Sequence, residues 1–497
     1  MKYISTRGNY REITAAEAIK LGMVPVGGLF VPKEIPFLKA EEINEMVGLN
    51  YRQVAERILK LFLTDYSVEE IRDFVEQAYN DKNFDSAQVA PMHALDKMYI
   101  LELWHGPTAA FKDMALQIMP RFLSGANKKI NSGKDTLILV ATSGDTGKAA
   151  LEGFKNVPGI KIICFYPYGG VSKVQELQMS TTDGDNTYVV AVKGNFDDCQ
   201  NAVKEIFGNS EFKEQMNRRG YELSSANSIN WGRLLPQIIY YFTSYSRLVQ
   251  DKVIKAGEKI NFVVPTGNFG NILSAYYAMR MGLPINKLIC ASNDNKVLTD
   301  FFNSGVYDKN RPFKRTVSPS MDILVSSNLE RFIYEITGHN DKMITEWMQQ
   351  LNTIGKFDVG PDIVNNISNI LTADFADEEE TLATIKRVFE KYNYTLDTHT
   401  AVGVKVYEDY REKTGDNTIT VIDATASPFK FNTTVLEAIK GKDAVLGKNE
   451  FELLEDLSRV SGLDIHPGLL GLDQKPVLHH AVCEQDKIKD EIIKILS

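Results

Sequence analysis

Lys112 closes the run HGPTAAFK, and three further runs, TSGDTG (142–147), NSINWGR (227–233) and PTGNFGN (265–271), gather hydroxyls, amides, glycines and an arginine where helical patterns begin. A helix N-terminus presents unpaired backbone N–H groups and the positive end of the helix dipole, so such turns suit anions. Gly267 and Gly270 bracket Asn268 and Phe269, which lets bare backbone wrap a phosphate. Arg233 offers a planar fork of donors that matches phosphate or carboxylate oxygens. TSGDTG is not a Walker loop, because position 142 is Thr where that motif needs Gly. Taken singly, each run has a plainer reading: a solvated first-turn lysine, or caps and tight turns. Taken together, two anion cradles, an arginine-bearing turn and a lysine at another junction suit a cofactor with a phosphate and a substrate with a second anion. A lysine that bonds covalently to an aldehyde cofactor accounts for Lys112, and pyridoxal phosphate (PLP) meets that description.

These runs must be held by strands. MYILEL precedes the Lys112 run, and TLILVAT (136–142), KIICFYP (161–167), TYVVAV (187–192), NFVVPT (261–266), KLICAS (287–292) and TITVIDAT (418–425) are short, β-rich and apolar. Their alternation with helical patterns predicts an α/β fold with mainly parallel sheets covered by helices on both faces. Ligands of such sheets bind beyond the carboxyl ends of the strands.

The chain of 497 residues predicts several domains. Residues 1–95 read as a mostly helical N-terminal domain without buried strands, and 96–431 as the α/β region. Within the latter, about 132–225 form a smaller, movable subdomain, and about 300–400 a helical insertion or peripheral layer: it carries the charged run SSNLERFIYEI and the acidic run DFADEEETLATIKRVFEKY, and an acidic amphipathic helix is usually a solvated face. Residues 432–497 read as a helical C-terminal segment.

A hydrophobic content of 43%, 24% charged residues and a net charge of -9 without a basic run exclude a nucleic-acid surface and predict a small-molecule partner. The opening MKYISTRGNYREI has no apolar h-region, and no apolar run is long enough to span a bilayer, so no membrane association and a cytoplasmic location are expected. Four scattered cysteines and seven histidines without metal-ligand spacing predict neither disulfides nor a metal site.

With these runs in view, the chain resembles the threonine synthase family in its longer form. YISTRG (3–8), GGLFVPKEIP (27–36), LELWHGPTAAFKD, TSGDTG, NSINWGR, PTGNFGN, SPSMDI (318–323), DTHTAVGV (397–404) and ATASPFKF carry the likeness, which is weaker beyond 431. The resemblance implies the PLP-dependent fold type II of the tryptophan synthase β-subunit group, with Lys112 as the catalytic Schiff-base lysine. It implies that Gly267, Asn268, Phe269, Gly270 and Asn271 hold the cofactor phosphate and that Thr425 faces the pyridine nitrogen. It implies O-phospho-L-homoserine as substrate, its phosphate held by Thr142, Thr146, Asn227, Ser228 and Arg233. Ser143, Gly144 and Asp145 lie where the substrate carboxylate and the cofactor's 3'-oxygen are approached. An ionised Asp145 beside a phenolate oxygen is repelled unless one of them is protonated. Ser427-Pro428 stands where many relatives have His-Pro. His105 and His399 are read as hydrogen-bonded structural imidazoles. The implied reaction yields L-threonine and phosphate, from a monomer or homodimer. A phosphohomoserine phospholyase, a threonine dehydratase or a non-catalytic phospho-metabolite binder are the alternatives, the last leaving Lys112 unexplained.

Overall fold

The computed structural model describes residues 1–142 and 144–497, apart from the side chains of Phe196 and Asp197. Near the N-terminus β1 (Tyr3–Ser5) pairs antiparallel with β2 (Phe30–Pro32). Next come β3 (Met92–Leu95), β4 (Met98–Glu102), β5 (Asp135–Ala141), β6 (Ile160–Pro167), β7 (Thr187–Lys193), β8 (Tyr221–Ser224), β9 (Ile260–Pro265) and β10 (Ile285–Ser292). The remaining strands are β11 (Val306–Asp308), β12 (Lys356–Asp358), β13 (Leu371–Phe375), β14 (Thr420–Ala424) and β15 (Ala481–Glu484).

Two sheets carry the architecture. A 6-stranded sheet has the order β13-β10-β9-β14-β4-β3, parallel except for the edge pair β3/β4, and a 5-stranded sheet has the parallel order β15-β7-β6-β5-β8. The runs expected to be strands are strands, and they are buried for the expected reason. Ile138, Leu139 and Val140 of β5 and Phe262, Val263 and Val264 of β9 are fully enclosed, each side chain contributing roughly 1.5–3 kcal/mol by leaving water.

The structure departs from the sequence expectations at sheet edges and in one helix. Residues 1–95 contain the buried β2 and the edge strand β3. The stretch from 300 to 400 supplies β13 to the larger sheet, and β15 extends the smaller one from a tail expected to be helical. The helix Leu329–Ile336 is enclosed rather than solvated, because its charges have partners. Glu330 pairs with Arg7 at 2.8 Å and accepts from the Thr6 hydroxyl at 2.6 Å. Arg331 donates to the carbonyls of Phe30 at 2.9 Å and Ile229 at 2.6 Å. A buried charge persists when paired and hydrogen-bonded, so the N-terminal segment neutralises this helix and is tied by it to the turn after β8.

The C-terminal segment also reaches the strand ends. Gly468 packs so closely on the Pro107 carbonyl that an added Cβ would lie 2.2 Å from its oxygen. Both carboxylate oxygens of Glu450 accept at 3.0 Å from the N–H groups of Lys173 and Val174, capping the helix Lys173–Ser180. No helix among the described residues is long and apolar enough to cross a membrane.

Candidate active site

Five loops converge where β4, β14 and β9 of the larger sheet and β5 and β8 of the smaller one end. The loop after β4 is built around Asp113. Thr108 donates to its carboxylate from both N–H and hydroxyl at 2.8 Å, and an added Cβ on Gly106 would fall 2.3 Å from the Asp113 Cβ. Burial pushes this carboxyl up to about 6, against the pull of the Thr108 donors. Ala109 adopts a left-handed φ of 60°, a conformation costing roughly 1–2 kcal/mol in a non-glycine residue. Its place is held by a bridge between Ala110 and Ala426, with Ser427 N–H donating to the Ala109 carbonyl at 3.0 Å and Phe111 N–H to the Thr425 carbonyl at 2.9 Å. These bonds pin Lys112 beside the end of β14 and bring Thr425 next to the lysine loop. Thr425 is buried, and its hydroxyl makes no protein hydrogen bond among the described residues.

Lys112 is 9% exposed, at the start of the short helix Asp113–Leu116. Burial drives its amine below the usual lysine range; the Asp145 carboxylate opposes this, and the cations of Lys430 and Arg233 reinforce it. Asp145 Oδ2 lies 3.5 Å from Lys112 Nζ and accepts from the Ser320 hydroxyl at 3.2 Å. Its Oδ1 forms a 2.7 Å ion pair with Lys430 and accepts from Gln175 at 3.2 Å. Burial alone would raise the Asp145 carboxyl, but Lys430 and then Lys112 outweigh it and hold the group far below the usual carboxylate range. The closer partner of the Asp145 carboxylate is thus the Lys430 ammonium, at 2.7 Å against 3.5 Å for Lys112.

Two anion cradles flank the lysine. The loop 266–270 leads from β9 into the helix Gly270–Arg280, with Phe269 left-handed at a φ of 62°. Among the described residues, no carbonyl or side chain accepts from the N–H groups of residues 267–271. The loop is held from outside instead, since the Asn328 amide and N–H donate to the Asn268 carbonyl at 3.0 and 3.1 Å and the Ser326 hydroxyl to that of Gly267 at 2.8 Å. An added Cβ on Gly267 would meet the Ser320 carbonyl oxygen at 2.7 Å. A run of unpaired N–H groups at a helix start fits a phosphate.

The second cradle contains Arg233, on the short helix Trp231–Leu234 that Asn230 caps. Its Nη1 donates to the Ala226 carbonyl at 2.6 Å, while its buried Nε has no partner among the described residues. Burial pushes the guanidinium down to about 10. An unpartnered buried cation of this kind calls for an anion. Asn227 and Ser228 stand half-buried on the same turn, Ser228 beside Gly270. On the other side, Thr146 is half-buried and Thr142 is turned inward, its oxygen accepting from the N–H groups of Gly144 at 3.0 Å and Gly147 at 2.9 Å. Thr142 therefore caps the helix Asp145–Phe154 and keeps only its hydroxyl proton for a ligand. Gly144 has a φ of 135° and room for no Cβ against Gln175. Ser143 lies outside the described residues.

Of the histidines, His105 sits between Asp85 and Glu102 at 2.5 and 2.8 Å and is raised to about 9 by those carboxylates against the effect of burial, as an ion-paired imidazole. His399 Nε2 accepts from the Ser320 N–H at 3.1 Å and its Nδ1 faces Asp397 at 3.1 Å, which places the ring proton on Nδ1. Sequence reading missed Lys430, Gln175 and Ser320, all on Asp145. Lys430 and Ser320 lay in the runs ATASPFKF and SPSMDI, in which the sequence reading gave a role to Thr425 alone.

The geometry agrees with comparison to known proteins. The chain matches the family described as "Threonine synthase N terminus" over residues 2–79, "Pyridoxal-phosphate dependent enzyme" over 85–423 and "Threonine synthase, C-terminal" over 400–466. It is 38% identical to a threonine synthase of Saccharomyces cerevisiae, covering 93% of each chain. It is 38% identical to human threonine synthase-like 1 over 96% of its own length, and spans 63% of the length of that relative. Its fold superposes on a PLP-bound threonine synthase from Brucella melitensis with a TM-score of 0.88 at 35% identity, covering 100% of this chain and 99% of the other. Buried lysine, anion cradles and these matches along the whole chain agree: it belongs to the threonine synthase family of pyridoxal-phosphate-dependent enzymes.

Proposed function

We propose that the protein converts O-phospho-L-homoserine and water into L-threonine and phosphate. The observation that carries this reading is the pairing of a buried lysine with two separate anion sites, one of them the unpartnered Nε of Arg233. A single cradle would serve a cofactor alone; a second, cationic one calls for a substrate that carries its own phosphate.

Bound PLP supplies an electron sink that acidifies the Cα–H of an amino acid joined to it. The residues of this chain do the rest. The N–H groups of 267–271 would hold the cofactor phosphate at the helix start, and Thr425 would offer a neutral hydroxyl to the pyridine nitrogen. Asp145, its charge shared with Lys430, would be the protein group nearest the cofactor's 3'-oxygen. Lys112 Nζ, whose hold on a proton is weakened by burial, is the base that moves the proton at substrate Cα. Arg233, with Asn227, Ser228, Thr146 and the free hydroxyl proton of Thr142, binds the substrate phosphate and then holds it as the C–O bond at Cγ breaks. The substrate carboxylate would be received at the turn that carries Gly144. Water then adds at Cβ.

The test is product analysis on purified, PLP-loaded protein given phosphohomoserine. Threonine and phosphate released in equal amounts support the reading. Phosphate with 2-oxobutyrate and ammonia instead would make the protein a phospholyase, and no phosphate release would overturn the assignment of the second cradle.

A further inference from the structure

Lys430 sits in a 3-10 turn, Pro428–Phe431, directly after β14, and its side chain is 0% exposed. Enclosing an ammonium costs several kcal/mol even after relaxation, so a second buried lysine beside Lys112 needs a physical reason. Its Nζ donates to the Thr108 carbonyl at 3.1 Å and pairs with Asp145 Oδ1 at 2.7 Å. Asp145 stands 3.5 Å from Lys112, so the carboxylate is nearer to Lys430 than to the lysine it faces. Ser320 and Gln175 take up its remaining lone pairs at 3.2 Å each. The groups facing Lys112 are Asp145 from the helix after β5, Lys430 from the turn after β14, Arg233 from the turn after β8 and the Phe111 ring at 5.0 Å. His399 adds to the surroundings of Asp145.

We propose that Lys430 is a positioning residue for the reaction: by holding Asp145 in the closer ion pair and adding its own positive charge, it keeps that carboxylate from locking Lys112 as an ammonium. Without Lys430, Asp145 would be the undivided counter-ion of Lys112 and would favour its protonated form, which neither attacks an aldehyde nor removes a proton. With Lys430 in place, Asp145 remains ionised and fixed as a hydrogen-bond acceptor, and Lys112 keeps a free electron pair. Chain and charge thus divide the work: one lysine reacts and the other tunes it. The proposal rests on Lys112 as the cofactor lysine.

The test reads Lys112 in the cofactor-free protein. Trace acetic anhydride acetylates neutral amines, forming an N–C bond with loss of acetate and a proton, and the Lys112 peptide is quantified against pH. Lys430→Met is expected to move the Lys112 midpoint upward by about one pH unit, so that below both midpoints acetylation slows about tenfold. The rate of borohydride-trappable PLP attachment at the same pH should fall alongside it. Lys430→Arg should restore both, and Asp145→Asn should move the midpoint down. A Lys430→Met protein that folds with the midpoint unmoved overturns the proposal, as does Asp145→Asn shifting it upward. Should Lys430→Met not fold, Asp145→Asn decides alone: a downward shift supports the proposal and any other result overturns it. Acetylation needs neither cofactor nor substrate, so correct midpoint shifts alongside absent threonine formation would fault the proposed reaction and leave this inference standing.

Discussion

Replacing Arg233 with methionine should make the ligand-free protein more stable, because the cation is enclosed without an anion. Burial holds Arg233 down to about 10, and its shortfall from the ordinary arginine value, at about 1.4 kcal/mol per pH unit, makes the ionised group a cost of about 3 kcal/mol near neutrality. Its 2.6 Å bond to the Ala226 carbonyl offsets about 1 kcal/mol of that. Arg233→Met removes both, and methionine fills a similar slender volume, so the expected net gain is about 2 kcal/mol. The same change should remove the charge-assisted hydrogen bonds to a phosphate, worth about 1.5–3 kcal/mol, or roughly 10- to 100-fold in affinity. Urea unfolding of the cofactor-free protein, with and without millimolar inorganic phosphate, reads both effects. The wild type should be stabilised by phosphate, and the variant should start higher and respond less. A variant that is less stable without phosphate and is stabilised by it as much as the wild type would refute the reasoning.

Lys112→Ala is expected to abolish turnover and the yellow colour of bound PLP while leaving the far-ultraviolet circular dichroism unchanged. Gly267→Ala puts a Cβ 2.7 Å from the Ser320 carbonyl oxygen, overpacking that costs about 1–3 kcal/mol; equilibrium dialysis should show PLP affinity reduced by at least tenfold. Asp423 on β14 is pushed up to about 8 by burial, against the effect of its 2.8 Å contact with the Tyr241 hydroxyl. Its raised value contributes stability that is complete below the unfolded carboxyl value near 4 and is lost as pH rises through about 8. Asp423→Asn should flatten the wild-type decline in urea midpoint across that window.

Much of the site was legible because its loops follow strands whose apolar runs are long enough to read. TLILVAT and NFVVPT announce β5 and β9 through uninterrupted β-branched and aliphatic residues, and the glycines and hydroxyls after them mark the turns. The edge strands escaped for the opposite reason. β8, β13 and β15 are short and partly exposed, so no apolar run sets them apart from loop. SSNLERFIYEI misled because its charges look like a wet face; Arg7, Thr6 and two backbone carbonyls, distant in sequence, are what allow them inside. Lys430 was hidden likewise. Nothing local to SPFKF tells a buried lysine from an exposed one, and its partner Asp145 lies in the other sheet's first loop. Asp145 itself was found as a point of electrostatic conflict, and its closer cation could be identified only once the chain was folded.

Two buried lysines flank one carboxylate in this site, and the proposed chemistry falls to one of them. Incubating the purified protein with PLP, reducing it with borohydride and sequencing the modified peptide by mass spectrometry should place the phosphopyridoxyl group on Lys112 in the run HGPTAAFKD. Recovery of that label on Lys430 in SPFKF, with Lys112 unmodified, would contradict the assignment.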